Sequence, residues 1–412
     1  MKIGQKSAPA DKTSAKYKMH MALGLMFLTV FIDLIGFGII IPLLPLYAKT
    51  HGANGFTVGL LLMSYSLMQF FFAPMWGRLS DRIGRRPVLL ISLSISAIGY
   101  TIWGFADSLL LLFVSRIVAG FGNANLAVAQ AYVADVTPED YRSQGMGMIG
   151  AAFGLGFTLG PAIAGIATHF GVLPNTLGFF AAAFSLLDLV FTSMYLPEPE
   201  HRGKNAHNPF EKGGEFFLRT ISNSSLQLSL FMIFISTFAF ANMETTLVLL
   251  TSRYFGFSIT ENSYLFTGLG IVMVFVQGFL IRKIGKKYPD APLISVGTAL
   301  IAVGLLMTPA THSLPVLCAA LCILATGSGI NSPANNSLLS KLSPSEETGG
   351  VMGIGQSMST LGRILGPVVG GYLFDTMGPG APYWFGACVM LLAFALSFKL
   401  PRIQKVVPVA SA

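Results

Sequence analysis

Uncharged apolar runs alternate with short polar turns along the whole chain. A helix needs roughly 20 apolar residues to cross the hydrocarbon of a bilayer. Twelve stretches meet that length: residues 21–48, 57–76, 88–106, 109–136, 143–168, 176–196, 226–252, 262–281, 291–310, 314–340, 350–375 and 381–399. The pattern predicts an all-α membrane protein with twelve transmembrane helices. Pro42, Pro45, Pro161, Pro333 and Pro367 fall inside stretches and predict kinks, which membrane helices tolerate where neighbours satisfy the freed backbone. The stretch 21–48 is too long for a signal-peptide core and ends without a small-residue cleavage site, so it reads as a retained first helix.

Composition and charge placement sharpen this picture. The chain is 53% hydrophobic and 11% charged, whereas soluble domains average about 25% charged residues. A water-soluble fold would lack the polar surface to cover its core. With twelve helices, both termini and alternate loops share one side, and 22 of the 26 Lys and Arg fall there. Lys49 and Arg253 lie on the other side, and Arg116 and Arg363 lie inside apolar stretches. The asymmetry predicts cytoplasmic termini in a bacterial inner membrane. The net charge of +8 is therefore an orientation signal, and no nucleic-acid partner is implied. Cys318, Cys322 and Cys388 sit in apolar stretches and read as packing thiols, with no metal site and no disulfide. No phosphate-binding loop supports ATP-driven transport, and no His/Cys/acid cluster supports an intramembrane hydrolase, so no enzyme and no cofactor are expected.

The longest polar segment divides the chain. The predicted organisation is a cytoplasmic tail (1–20), a six-helix bundle (21–196), a cytoplasmic linker (197–225), a second six-helix bundle (226–399) and a cytoplasmic tail (400–412). The halves echo each other. Gly77…Ile83-Gly84-Arg85-Arg86 matches Gly278…Ile284-Gly285-Lys286-Lys287 at an offset of 201. Gly120 and Gly122 match Gly327 and Gly329 at 207, and Gly160-Pro161 matches Gly366-Pro367 at 206. A nearly constant offset implies a duplicated six-helix unit, a parallel-repeat arrangement used by transporters.

The residues from Gly77 through Asp81, Arg82, Gly84, Arg85 and Arg86 resemble the loop signature of the major facilitator superfamily. Arg116 to Gly120 resembles its fourth-helix motif, and Gly150 to Gly160-Pro161 and Gly165 its fifth-helix antiporter motif. The run from Asp33 through Gly36 and Gly38 to Pro42 and Pro45 is similar to the first helix of twelve-helix drug:proton antiporters, in particular the tetracycline-efflux-like branch. The resemblance spans the chain and is strongest in the first half. It implies two pseudo-symmetric six-helix bundles, the major facilitator fold. It also implies that the loop is an inner latch built on Gly77, Asp81, Arg82, Gly84, Arg85 and Arg86, with Asp81 at the inner N-terminus of the eleventh helix. In the second half no acid matches Asp81, and Ile323 stands where Arg116 would repeat, so the halves are not expected to do equal work.

Ionisable residues inside a membrane are expensive and are functional candidates by default. Helical rise places Asp33 about 18 Å from the inner end of the first helix, Arg363 about 20 Å into the eleventh and Glu244 about 27 Å into the seventh. Two acids and two bases in the outer half can pair structurally or can couple protons to transport. Burial favours a neutral carboxyl, and a nearby guanidinium favours the carboxylate. Movement of Arg116 relative to Asp33 would therefore switch a proton on and off, and the resemblance supports these roles. Glu244 and Arg363 read as a cross-helix pair or as substrate contacts. Asp188 reads as structural.

Arg116, Gly120, Asn123, Ala127 and Gln130 share one helical face, which reads as cavity lining or as helix–helix hydrogen bonding. Asn331, Asn335 and Asn336 repeat that choice in the second half, and Phe37 and Phe157 are candidate cavity walls. Gly150, Gly154, Gly160, Pro161, Gly366 and Pro367 are expected at close helix contacts. The reading is a secondary transporter that exports lipophilic or amphiphilic organic compounds in exchange for protons by alternating access. Its partners are a small organic substrate, protons and membrane lipids, and it acts as a monomer. Two alternatives stay open: a proton-coupled or passive carrier of one metabolite, and a membrane sensor or scaffold that moves nothing.

Overall fold

The computed structural model describes residues 12–123, 126–137, 139–199, 213–310, 312–344 and 347–401. Residues 1–11 and 402–412 of the expected tails and 200–212 of the expected linker lie outside the described residues. Among the described residues the twelve apolar stretches correspond to twelve helices. They are α1 (Lys12–Thr50), α2 (Gly55–Ile83), α3 (Arg85–Gly104), α4 (Leu109–Val136), α5 (Glu139–His169) and α6 (Pro174–Tyr195) in the first half. The second half holds α7 (Ser224–Phe255), α8 (Ile259–Phe275, a π-turn Val276–Leu280, and Ile281–Lys287), α9 (Asp290–Met307), α10 (Leu314–Leu342), α11 (Thr348–Met377) and α12 (Ala381–Ser397). A short helix, Gly213–Ser222, precedes α7. Large apolar side chains such as Phe71, Leu110, Leu187, Phe279 and Leu392 face outward, as a bilayer solvent requires.

Local sequence sets the ends. Asn54 caps α2 by accepting from the Thr57 amide at 2.8 Å, and Ser258 with Glu261 forms a capping box on α8. The charged segment after Trp76, read above as a loop, is mostly helix: α2 continues to Ile83 and the turn is Gly84 alone, at φ +113°. Nothing between Gly77 and Ile83 breaks a helix, whereas only glycine adopts that φ without strain.

The packing repeats between halves. In the first, α1 packs on α5 and α6, and α3 on α4 and α6; in the second, α7 packs on α11 and α12, and α9 on α10 and α12. Glycines permit the closest of these contacts. A Cβ on Gly160 of α5 would stand 2.6 Å from the Gly38 backbone of α1, and one on Gly366 of α11 would stand 2.6 Å from the Phe238 carbonyl of α7. Between the halves the main contacts are α2 on α11 and α5 on α8, again an equivalent pair.

These interfaces are tight at one end only. Gly59 of α2 lies against Pro367, Gly371 of α11 against Gly55, and Gly165 of α5 against Ser263 and Tyr264. Eighteen residues are five turns of helix, so Gly77, Gly353 and Gly147 lie on the same helix faces as those three, nearer the Gly84 turn. A Cβ on any of them would meet nothing within 4 Å. The bundles therefore touch at the face distal to the Gly84 turn and part toward the face that carries it. Gly150, on the parted side of α5, meets nothing either, and Gly154 makes only an ordinary contact with Val274 at 3.4 Å.

Candidate functional site

Asp33 of α1 is 7% exposed and faces α4 at Asn123, where the run Leu109–Gly122 ends. Two carbonyls at this end accept from α2: Trp76 Nε1 donates to Phe121 O at 2.7 Å, and Gln69 Nε2 to Asn123 O at 3.0 Å. The Asn123 side chain fits its neighbours with its amide nitrogen donating to both Asp33 oxygens (3.0 Å to Oδ1). Its oxygen then accepts from the Tyr65 and Tyr100 hydroxyls at 2.9 and 3.0 Å. Arg116, one helical segment earlier on α4, is 2% exposed and stands over the rings of Trp103, Tyr65 and Tyr100 at 5.2, 5.4 and 5.8 Å. Its Nε and Nη2 find no hydrogen-bond partner among the described residues. The guanidinium is held by π-faces and makes no ion pair with Asp33. Two tyrosines and Asn123 stand between the two charges that the sequence paired directly.

The second half arranges its charges differently. Glu244 of α7 and Arg363 of α11 lie deep in the molecule and within electrostatic reach of each other, but part of each side chain remains open. They form no ion pair within 4 Å and no hydrogen bond among the described residues. Arg363 crosses to the first half, where its guanidinium lies 5.2 Å from the Phe153 ring of α5, and Tyr65 of α2 is within its electrostatic reach. A second aromatic contact crosses between the halves, Phe157 of α5 to Phe240 of α7 at 6.4 Å, and on the first-half side Phe37 of α1 stacks on Tyr65 of α2 at 5.1 Å.

The remaining candidates fall elsewhere. Gln130 is half-buried on the run Leu126–Val136. Asn331 is 1% exposed, and its amide donates to Thr298 Oγ1 at 2.9 Å and Ile294 O at 3.3 Å, tying α10 to α9 away from the gap. Asn335 donates to Asn331 Oδ1 at 2.7 Å. Asp188 of α6 is fully buried, accepts from Thr192 at 3.2 Å, and is close enough to Asp33 to sense its charge.

The loop motif is organised within its own half. Asp81 is exposed and pairs with Arg85 at 2.5 Å, not with α11, and Arg82 is exposed. Arg85 Nε reaches Asp135 of α4 at 2.8 Å, and Arg86 donates to the Ser193 carbonyl of α6. Glu198 caps α3 by accepting from the Arg85 and Arg86 amides at 2.7 and 2.8 Å, and a Cβ on Gly84 would meet its carboxylate. The repeat keeps the α3–α4 clamp with its charges exchanged: Lys341 of α10 pairs with Asp290 at the start of α9. At the distal face Asp375, near the end of α11, accepts from the Gly55 and Phe56 amides at 2.9 and 2.8 Å and caps α2 across the two halves. The sequence reading missed Asp375, Asp135, Glu198 and the tyrosine–tryptophan cage. The available signal was the placement of Tyr65 and Gln69 four apart within the uncharged stretch 57–76 of α2.

Known proteins share this architecture along the whole chain. The sequence matches the Major Facilitator Superfamily over residues 26–289 and 229–411, two overlapping matches that cover both halves. It is 28% identical to multidrug resistance protein 1 of Bacillus subtilis, covering 94% of this chain and 99% of that protein. It is 31% identical to the class D tetracycline resistance protein of Salmonella ordonez, covering 90% and 95%. The crystal structure of the human organic anion transporter MFSD10 (TETRAN) superposes with a TM-score of 0.73 at 27% identity, covering 92% of this chain and 99% of that one. With twelve helices, duplicated bundles and a matching loop motif, the chain belongs to the major facilitator superfamily and is a multi-pass membrane transporter, not an enzyme.

Proposed function

We propose that the protein exports lipophilic or amphiphilic organic compounds in exchange for protons, with both termini in the cytoplasm of a bacterial cell and one chain as the working unit. The observation that carries this reading is Asp33. It is an acid in the membrane interior, bonded to Asn123 of α4, in the half that also cages Arg116. Burial favours the neutral acid, and approach of the guanidinium favours its release of a proton. The phenolic groups between them are neutral hydrogen-bonding groups that rearrange when α4 moves relative to α1 and α2.

Alternating access fits the parted and closed ends. With the Gly84 turn on the cytoplasmic side, the described arrangement is the inward-open state. The outward-open state requires α2 and α11 to part at Asp375 and to meet at Gly77 and Gly353. Asp81, now held by Arg85, would then reach the N-terminus of α11, where the helix dipole favours an anion. Export of drug-like compounds is further supported by the multidrug and tetracycline resistance proteins among the relatives. The test is Asp33→Asn in proteoliposomes with an imposed pH gradient. The expected result is loss of gradient-driven dye transport with dye binding retained, and transport at the parent rate would remove Asp33 from coupling.

A further inference from the structure

The two intramembrane charge sites differ in what they leave for a ligand. In the first half, Asp33 accepts from Asn123, and Arg116 is enclosed by three rings. Their partners are side chains of the protein. In the second half, Glu244 and Arg363 face each other without closing to 4 Å, and neither finds a hydrogen-bond partner among the described residues. Leaving a charge deep in a protein without a partner is costly, so a ligand that satisfies both gains at both. The walls of this gap are aromatic and come from both bundles: Phe153 and Phe157 of α5, Phe240 of α7, and Phe37 stacked on Tyr65.

We infer that the transported compounds are zwitterionic amphiphiles: a flat apolar body held by the aromatic walls, an acidic group on Arg363 and a basic group on Glu244. The inference rests on the exporter reading and narrows its substrate class. A purely cationic amphiphile would neutralise Glu244 and leave Arg363 facing it unmatched. A purely anionic one would do the reverse. An arginine offers a planar fork that suits a carboxylate or sulfonate, and a carboxylate accepts from an ammonium group through a charge-assisted bond. Because Glu244 is on α7 and Arg363 on α11, packed together in one bundle while Arg363 touches Phe153 of the other, the occupied ligand bridges the surfaces that must move past each other.

Four probes with one fluorescent body separate the charges: ε-dansyl-lysine (zwitterion), its methyl ester (cation), its Nα-acetyl derivative (anion) and dansylamide (uncharged). Equilibrium binding to the purified full chain in detergent is read from dansyl fluorescence. The wild-type chain is expected to bind the zwitterion about tenfold more tightly than either singly charged probe. Arg363→Gln is expected to erase the advantage over the methyl ester, and Glu244→Gln the advantage over the Nα-acetyl derivative. Dansylamide is expected to bind both variants as it binds the wild type, which also reports that they are folded. Equal binding of the three charged probes by the wild-type chain overturns the inference without recourse to any variant. Equal weakening of all three in both variants does so as well. A proton-gradient dye-efflux assay on the same purified chain, reconstituted into proteoliposomes, keeps the two readings apart. Efflux with no discrimination among probes defeats the zwitterion inference alone, whereas no gradient-driven efflux of any organic compound defeats the exporter reading.

Discussion

The first bundle closes its membrane charges in, and the second leaves them open. Arg116 is 2% exposed inside a cage of Tyr65, Tyr100 and Trp103, whereas Arg363 reaches out of its own bundle to a phenylalanine of the other. Duplication supplied two similar scaffolds, with equivalent helix pairs and equivalent glycine contacts. The charges were then placed in different company. An enclosed charge answers to movements of the protein around it. An open one answers to whatever enters the gap. Under the proposed function, coupling belongs to the first half and recognition to the second, and experiment can break that division.

The largest contrast is expected between Arg116→Ala and Arg363→Ala in thermal unfolding of the detergent-solubilised protein. Emptying the cage removes three cation–π contacts and leaves a cavity. It is expected to cost about 3 kcal/mol, with Arg363→Ala costing about 1 kcal/mol or less. Similar losses at both sites would dissolve the distinction between enclosed and open charge. Next, Asn123→Ala is expected to slow gradient-driven transport about tenfold, since it removes a hydrogen bond to a charged group. Dye affinity should stay unchanged, and a fall in affinity with intact coupling would move Asn123 into the recognition half of the scheme.

A smaller effect is expected at the distal face. Asp375→Ala removes the cap on α2 and should raise the population of molecules open at that face about fivefold. Distances between spin labels on His51 and Met377 would report it, and an unshifted distribution would relieve Asp375 of any part in closure. The smallest effect tests the exchanged clamps. Arg85→Asp combined with Asp135→Lys gives the first bundle the polarity of Asp290 and Lys341 in the second. The double variant is expected to melt closer to the parent than either single variant, by about 1 kcal/mol. A double loss equal to the sum of the singles would show that the two clamps are not interchangeable.

Much of this was legible in the chain. Length and apolarity gave the twelve helices, and near-constant offsets gave the duplication. Asp33, Arg116, Glu244 and Arg363 stood out because charge is rare in such stretches. What was not legible depends on neutral residues and on backbone. Tyr65, Tyr100 and Trp103 carry no charge and sit among 33 phenylalanines and other apolar residues, so their convergence on Arg116 appears only in three dimensions. The distance between Asp33 and Arg116 was hidden for the same reason. The segment from Gly77 to Ile83 looked like a loop because its charges suggested water, yet charge does not break a helix, and the turn waited for Gly84. Asn331 offered the same reading as Asn123, and only packing reveals that it ties α10 to α9.

The Asp375 cap has a consequence for how such a protein adapts. Its partners on α2 are two main-chain amides, which every residue except proline supplies equally. Substitutions at position 56 that spare the helix leave its bond donor in place, whereas a side chain at position 55 would press on the Asp375 carboxylate and the Gly371 carbonyl. A change at position 375 can thus tune this closure with no matching change at position 56, while position 55 stays bound to the small residues that face it.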